Sequence, residues 1–306
     1  MSGADTVVQV LADEGVDTIF GYSGGAILPI YDAVFRYNSI HQPEDKETPM
    51  RLVVPANEQG AGFMAAGYAR ASGKVGVVMV TSGPGATNRV TPVRVSMADS
   101  VPIVVICGQV PRAAIGTDAF QEAPVAAIMG SVAKHVFLVT DPEQLEETVR
   151  SAFELARTGR PGPVVVDIPK DVQNTESTFK GHGTLPLHGY RRRLAKVEHN
   201  ILSDEACERF FTMLSEAERP LIYAGGGVIN ANATKAMRRL ANEYGIPVTT
   251  TLMALGASDT THPLAMHMLG MHGIASANYA VEDCDFLIAI GARFDDRVAG
   301  NPSLFA

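Results

Sequence analysis

The sequence predicts an α/β protein built of two doubly wound parallel-sheet domains, and three observations carry that expectation. The chain has 306 residues, and at roughly 150 residues per domain this is length for about two hydrophobic cores. Short apolar, β-branched runs alternate with helix-like segments, the pattern of βαβ units joined by right-handed crossovers. The alternation breaks once and then resumes, so the expected layout is a domain at 1–172, a linker at 173–202 and a second, smaller domain at 203–306.

In the first domain the strand-like runs are Asp17–Tyr22, Arg51–Ala56, Val75–Thr81, Val101–Gly108, His135–Thr140 and Gly162–Pro169. Most are apolar without strict alternation, as strands covered on both faces should be. Ala4–Glu14, Ala26–Phe35, Glu58–Ala71 and Asp141–Thr158 read as helices, the last opening on an aspartate N-cap followed by Pro142. From Asp171 to about Ser203 the pattern dissolves into Gly, Pro, His and the triplet Arg191 to Arg193, read as a solvated linker face. The second alternation comprises a helix from Asp204, a strand at Pro220–Gly225, a helix at Asn230–Tyr244, and strands at Pro247–Leu252 and Asp285–Gly291. It stops at Ala306 before the helix that would cover the last strand.

Composition narrows the function. A net charge of −8, from 25 basic and 33 acidic residues, disfavours a nucleic-acid surface, which needs clustered cations. Cys107, Cys207 and Cys284 form no CxxC pair, so neither a disulfide framework nor a zinc knuckle is expected and a reducing cytoplasm fits. Asp5, Asp13 and Glu14 stand where a signal peptide would be basic and then apolar, and no run approaches the roughly 18 apolar residues of a membrane span. His262, His267 and His272 are spaced by five, which puts neighbours about 140° apart on a helix and on opposite faces of a strand, so they make a poor metal site.

Ligands of doubly wound sheets bind where strands end and helices begin, so four loops stand out. Gly21-Tyr22-Ser23-Gly24-Gly25-Ala26 lets backbone approach a ligand or simply makes a tight turn. In Pro55-Ala56-Asn57-Glu58, the glutamate is either a first-turn carboxylate interacting with the helix dipole or a strand-end carboxylate placed to share a proton with a ligand. Thr81–Asn88 carries hydroxyls, glycines and an amide but lacks a P-loop lysine. The long connection from Gly108 through Glu122 mixes amide, acid and aromatic groups, more typical of a site than of a spacer. In the second domain Gly225-Gly226-Gly227 permits nucleotide contact but lacks a full dinucleotide fingerprint.

Taken together, the blocks Thr81–Asn88, Gly108–Glu122, Thr158–Gln173, Leu269–Gly273 and Gly291–Val298 closely resemble the acetohydroxyacid (acetolactate) synthase family of thiamine diphosphate enzymes. The resemblance implies a pyrimidine-binding domain for thiamine diphosphate followed by a central FAD-binding domain. It implies that Glu58 hydrogen-bonds the cofactor's aminopyrimidine, that Gly25, Asn88 and Gln121 lie near its reactive side, and that Phe120 and Lys170 stand at the substrate entrance. For FAD it implies Gly225, Gly226, Gly227, Thr251, Leu252, Leu269, Met271, His272, Gly291, Arg293, Asp295, Arg297 and Val298, with Arg160 reaching over from the first domain. The implied activity is decarboxylation of pyruvate and ligation of the two-carbon unit to pyruvate or 2-ketobutyrate, in branched-chain amino-acid biosynthesis. Implied partners are a second copy of the chain, as homodimer or tetramer, and a regulatory small subunit. The implied location is cytoplasmic, with no membrane and no nucleic acid involved.

Several departures accompany the resemblance. Ser23 stands where the family has proline, Pro55-Ala56-Asn57 replaces a basic pair, and His41–Met50 reads as an insertion. Arg89 and Arg94 occupy positions that are normally uncharged near a subunit contact. The family's third domain carries a Gly-Asp-Gly segment and an asparagine that hold Mg²⁺ and the diphosphate, and no Gly-Asp-Gly occurs here, so no metal ligand is expected in this chain. The expectation is therefore a fragment, holding half of each active site and inactive alone. The rival enzymes are a pyruvate oxidase, a 2-ketoacid decarboxylase and glyoxylate carboligase, the last disfavoured by Glu58; Gly291–Val298 favours the synthase over the oxidases. A rival of another class is a non-catalytic, nucleotide-binding short form.

Overall fold

The computed structural model describes residues 1–41, 49–198, 202–301, 303 and 305. It divides into two units, Met1–His199 and Asn200–Ala306.

The first unit is built on strands β1 (Thr18–Tyr22), β2 (Arg51–Val53), β3 (Gly76–Val80), β4 (Ile103–Gln109), β5 (His135–Leu138) and β6 (Val164–Pro169). All pair in parallel, in the order β2-β1-β3-β4-β6-β5. Helices α1 (Gly3–Asp13), α2 (Leu28–His41), α3 (Glu58–Ser72), α4 (Pro84–Thr87), α5 (Val90–Ala98), α6 (Val125–Gly130), α7 (Leu145–Arg157), α8 (Lys170–Asn174) and α9 (Tyr190–Glu198) accompany them. Two cores form, one per sheet face. Val104 and Ile106 of β4 pack with α1, α2 and α7, while Ile103, Val105 and Cys107 pack with α3, α5 and α6. Both faces being covered is why β4 reads as a continuous apolar run, and each such buried side chain contributes roughly 1.5–3 kcal/mol.

The second unit has strands β7 (Pro220–Ala224), β8 (Val248–Thr250), β9 (Ala265–Met268) and β10 (Phe286–Ile290), parallel in the order β10-β7-β8-β9. Its helices are α10 (Asp204–Glu216), α11 (Gly226–Asn230), α12 (Thr234–Tyr244) and α13 (Ala275–Asp283).

Three local expectations change. The segment expected as a linker is an arm laid along α7: the Lys180 amide donates to Glu146 at 2.7 Å and the Leu185 amide to Ser151 at 2.8 Å. Its arginine triplet lies on α9, where Arg191 pairs with Glu154 at 2.9 Å and Tyr190 packs on the core. The single helix expected at Asn230–Tyr244 is two, α11 and α12, because Asn232 turns left-handed with φ of 53°. Strand β9 gave no sequence signal, being four residues long with a register shift and with His267 at φ of 57°. Of the expected insertion, residues 42–48 lie outside the described residues; at its end, Met50 exchanges backbone hydrogen bonds with the Asn38 side chain.

Candidate functional site

Every residue singled out from the sequence for the thiamine diphosphate or substrate side lies beyond the C-terminal end of a strand of the larger sheet, whereas Arg160 lies between α7 and the start of β6. Gly25 follows β1, Glu58 follows β2, Asn88 follows β3, Phe120 and Gln121 follow β4, and Lys170 follows β6. Parallel strands all end on the same edge, so topology alone gathers these loops.

Glu58 is the first residue of α3, half-buried. Asn57, one of the departures, caps that helix: its side chain accepts from the Gly60 amide at 2.8 Å. The Asn88 side-chain amide donates to Glu58 Oε2 at 2.8 Å, so the helix turn after β3 orients the carboxylate. Glu58 Oε1 accepts no hydrogen bond from the described residues, which leaves an acceptor for a ligand nitrogen.

The neighbouring loops interlock. The Ala26 amide donates to Thr81 Oγ1 at 3.3 Å, and the Ala26 carbonyl accepts from Gln173 Nε2 at 2.8 Å. A side chain on Gly24 would stand 2.6 Å from Thr81, and one on Gly108 2.5 Å from the Ala26 carbonyl. Gly25 differs, since a Cβ there would meet nothing within 4 Å, and its exposed backbone is open to a ligand. Gly83, at φ of 56°, packs on the backbone of Gln121, itself left-handed at φ of 57°. Phe120 is 89% exposed, and Lys170 lines a cleft with Asp32, Arg36 and Gln173.

Three buried polar residues were not singled out as site candidates. Asp167 on β6 is 2% exposed; burial pushes its carboxyl up to about 7, against the one hydrogen bond it accepts from Gln109. Gln109 is 3% exposed, and Gln173 is fully buried. A lone acid inside the apolar run Val164-Val165-Val166-Asp167-Ile168 was the available signal. Of the two unusual arginines, Arg89 is fully buried within its own unit and Arg94 is exposed. All three Arg89 guanidinium nitrogens lack hydrogen-bond partners among the described residues, and burial depresses its pKa to about 10 despite the opposing influence of Cys107, Glu58 and Tyr31.

In the second unit the segments singled out do meet. The Gly225 and Gly227 amides donate to the Ile290 and Gly291 carbonyls at 2.9 and 3.0 Å, and the Met271 amide donates to the Arg297 carbonyl at 2.8 Å. The glycine triplet serves this meeting rather than an open cradle. A Cβ on Gly225 would lie 2.2 Å from the Gly291 carbonyl, and one on Gly226 2.9 Å from Met253. Beside them Thr251 Oγ1 is buried without a partner, Leu252 and Met271 are 67% and 66% exposed, and Leu269 is buried. Arg293 pairs with Asp295 at 2.8 Å, Asp295 also accepts from the Arg297 amide at 3.1 Å, and Val298 packs near Gly270. His272 is exposed next to Met271. An orphaned hydroxyl amid exposed apolar side chains and paired charges suits an amphipathic ligand. Arg160, in the first unit, donates to Ser100 Oγ at 2.8 Å and to the Met97 and Ala98 carbonyls.

This arrangement, two parallel-sheet units with a carboxylate at a strand end of the first, coincides with the family comparisons. Residues 1–128 match the N-terminal TPP binding domain of thiamine pyrophosphate enzymes and residues 207–306 match their central domain. The chain belongs to the thiamine pyrophosphate enzymes. Within them it is similar along its whole length to acetolactate synthases. It is 47% identical to the acetolactate synthase large subunit of Corynebacterium glutamicum over 306 residues, covering 100% of this chain and 46% of that protein. It is 46% identical to the mitochondrial acetolactate synthase catalytic subunit of Saccharomyces cerevisiae (100% and 43% covered) and 45% identical to the chloroplastic enzyme of Arabidopsis thaliana (99% and 43%). The chain thus spans about half the length of the curated relatives it matches.

Proposed function

We propose that this chain forms the pyrimidine-side half of a thiamine diphosphate site, together with a flavin-binding unit, in an acetolactate synthase. The observation that carries the reading is the Glu58 carboxylate, held at a strand end by Asn88 at 2.8 Å and leaving Oε1 as a free acceptor among the described residues. Glu58 Oε1 suits a hydrogen bond with a pyrimidine ring nitrogen, at which it would hold and return a proton. The open backbone at Gly25 leaves room for a planar ring beside it. Gln121, fixed against Gly83, the exposed Phe120 and the half-buried Lys170 would face the ketoacids, Lys170 attracting a carboxylate. Thiamine diphosphate, when bound, supplies the electron sink that lets a 2-ketoacid lose carbon dioxide and pass on its two-carbon unit.

FAD fits the second unit through Thr251, whose hydroxyl lacks a partner, the exposed Leu252 and Met271, and the Arg293, Asp295 and Arg297 group. No Gly-Asp-Gly segment to hold Mg²⁺ and the diphosphate occurs in these 306 residues, and a site shared between copies, in a homodimer or tetramer, is the proposed assembly. Pyruvate and 2-ketobutyrate are the proposed substrates, with a regulatory small subunit as a further partner. Among the described residues no helix is long and apolar enough to cross a membrane. The three free cysteines suit a reducing, cytoplasmic setting.

The test is acetolactate formation from pyruvate with thiamine diphosphate, Mg²⁺ and FAD. The chain alone is expected to form none, whereas the chain joined to a diphosphate-binding domain of the family is expected to form it and to lose it with Glu58→Gln. Product from the chain alone overturns the half-site reading, and full activity of the Glu58→Gln protein overturns the role of Glu58.

A further inference from the structure

The connection from β4 to α6 contains Phe120 and Gln121 and holds two non-glycine residues in the left-handed region, Asp118 at φ of 60° and Gln121 at φ of 57°. Side chains disfavour that region, so the loop needs to be held from outside. Its near side is pinned twice: Arg112 Nε donates to Asp171 Oδ2 at 2.7 Å and Arg112 NH1 donates to the Thr140 carbonyl at 2.8 Å. Its middle is organised by Glu122, whose carboxylate accepts from the Gly116 amide and, at 3.1 Å, from the Ala119 amide.

At the far end Ala123 packs in the core beneath the sheet, and Gln109, the last residue of β4, adds a side-chain hydrogen bond to it. Its Nε2 donates both to the Ala123 carbonyl at 3.0 Å and to Asp167 Oδ2 at 2.9 Å, while its Oε1 accepts from the Val110 amide at 2.9 Å. One buried amide therefore joins both ends of the loop to one buried acid. Asp167 Oδ1 has no partner, so this carboxyl is only half satisfied.

We infer that Gln109 and Asp167 are positioning residues, a latch that fastens the far end of the 110–123 loop to the sheet and so fixes where Phe120 and Gln121 stand. The latch is a property of this chain. Its bearing on catalysis rests on the placement of Gln121 proposed above, but its test does not.

The sign of its proton dependence follows from the surroundings of Asp167. On β4 the acid faces Cys107, whose thiol burial pushes well above its usual range; beyond Cys107 stands the buried Arg89 guanidinium. On β5 it is paired with Leu138, His135 lies three residues away in the ladder and is depressed by burial, and α6 brings no ionisable group. Among the described residues no cation bonds Asp167, so its charged form would be relieved by water admitted on release of Ala123 by Gln109. Opening therefore releases a proton wherever the closed loop holds one and the opened, hydrated acid does not.

Hydrogen exchange of the full chain, corrected for intrinsic pH effects, reads this without cofactor or substrate. The probes are the Gly116, Thr117, Ala119 and Glu122 amides, with the doubly flanked β3 amides as reference. Protection of the loop probes is expected to fall up to about tenfold per pH unit between pH 5 and 7, the limit for one proton, and to level off above. Gln109→Ala is expected to deprotect these probes at pH 5 with β3 unchanged, and Asp167→Asn, which keeps an acceptor for Gln109, to remove the pH slope. A flat wild-type profile, a slope that persists in Asp167→Asn, or a Gln109→Ala protein whose loop is unaltered or no more altered than β3 overturns the proposal. Should Asp167→Asn not fold, the wild-type slope and Gln109→Ala still decide it.

Discussion

Arg89→Met should make the first unit more stable. The wild-type guanidinium is fully buried, none of its three nitrogens has a hydrogen-bond partner among the described residues, and burial lowers its pKa from 12.5 to about 10. At pH 7 it is charged in both folded and unfolded chains, so that depression is a cost borne by the fold; at about 1.4 kcal/mol per unit it amounts to about 3 kcal/mol. Its guanidinium lies against α3, since a Cβ on Gly62 would stand only 3.6 Å from Arg89 Nη1. Methionine keeps an unbranched stem of similar length, fills most of the same volume and carries no charge. The expected gain is therefore up to about 3 kcal/mol, less whatever packing the shorter side chain loses. Urea denaturation at pH 7, fitted for midpoint and slope, measures it. A variant less stable than wild type by 1 kcal/mol or more, on the order of one hydrogen bond, would mean that the guanidinium is bonded in solution and would refute the reasoning.

The stability of the wild-type chain should fall between about pH 4 and pH 7 from Asp167 alone. Its folded pKa is raised from 3.8 to about 7, so the contribution is full below the unfolded value and lost as pH rises to the folded one. Asp167→Asn should flatten that part of the curve, with a gap approaching about 4 kcal/mol at neutral pH; parallel curves for the two proteins would exclude it. Gly108→Ala should destabilise by more than about 1 kcal/mol, because the new Cβ would lie 2.5 Å from the Ala26 carbonyl, whereas Gly25→Ala, with nothing within 4 Å, should change thermal stability little. Equal melting shifts for the two glycine variants would contradict the packing described. Tyr31→Phe removes the hydroxyl that donates to the Met79 carbonyl at 3.2 Å and should cost about 1 kcal/mol in denaturation, with the sheet otherwise intact.

Most of the first unit was legible because burial on both faces of a parallel sheet forces continuous apolar runs, and β1, β3, β4 and β6 follow theirs to within two residues. Helices α4, α5 and α6 were not read, since Pro84, Gly85 and Pro92 are poor helix formers whose conformation is set by packing rather than propensity. The arm at 173–198 looked like a linker because it is polar and glycine-rich; what holds it is single hydrogen bonds to α7 and three isolated side chains, Phe179, Leu187 and Tyr190, packed on the core, which leave no periodic trace. Among the site candidates, Glu58 and Asn88 were both singled out, but their 2.8 Å hydrogen bond joins residues 30 apart and has no local signature.

The sequence by itself determined the class of fold, the loops that gather at one sheet edge and the chemical identity of the carboxylate, because these depend on periodicity, strand direction and residue type. Only the tertiary structure decided which glycines are open and which are filled, that Arg89 points inward, and that Gln109 and Asp167 tie down a loop. Those outcomes depend on which groups meet across long stretches of chain and on how much water the meeting excludes, and residue order does not encode either locally.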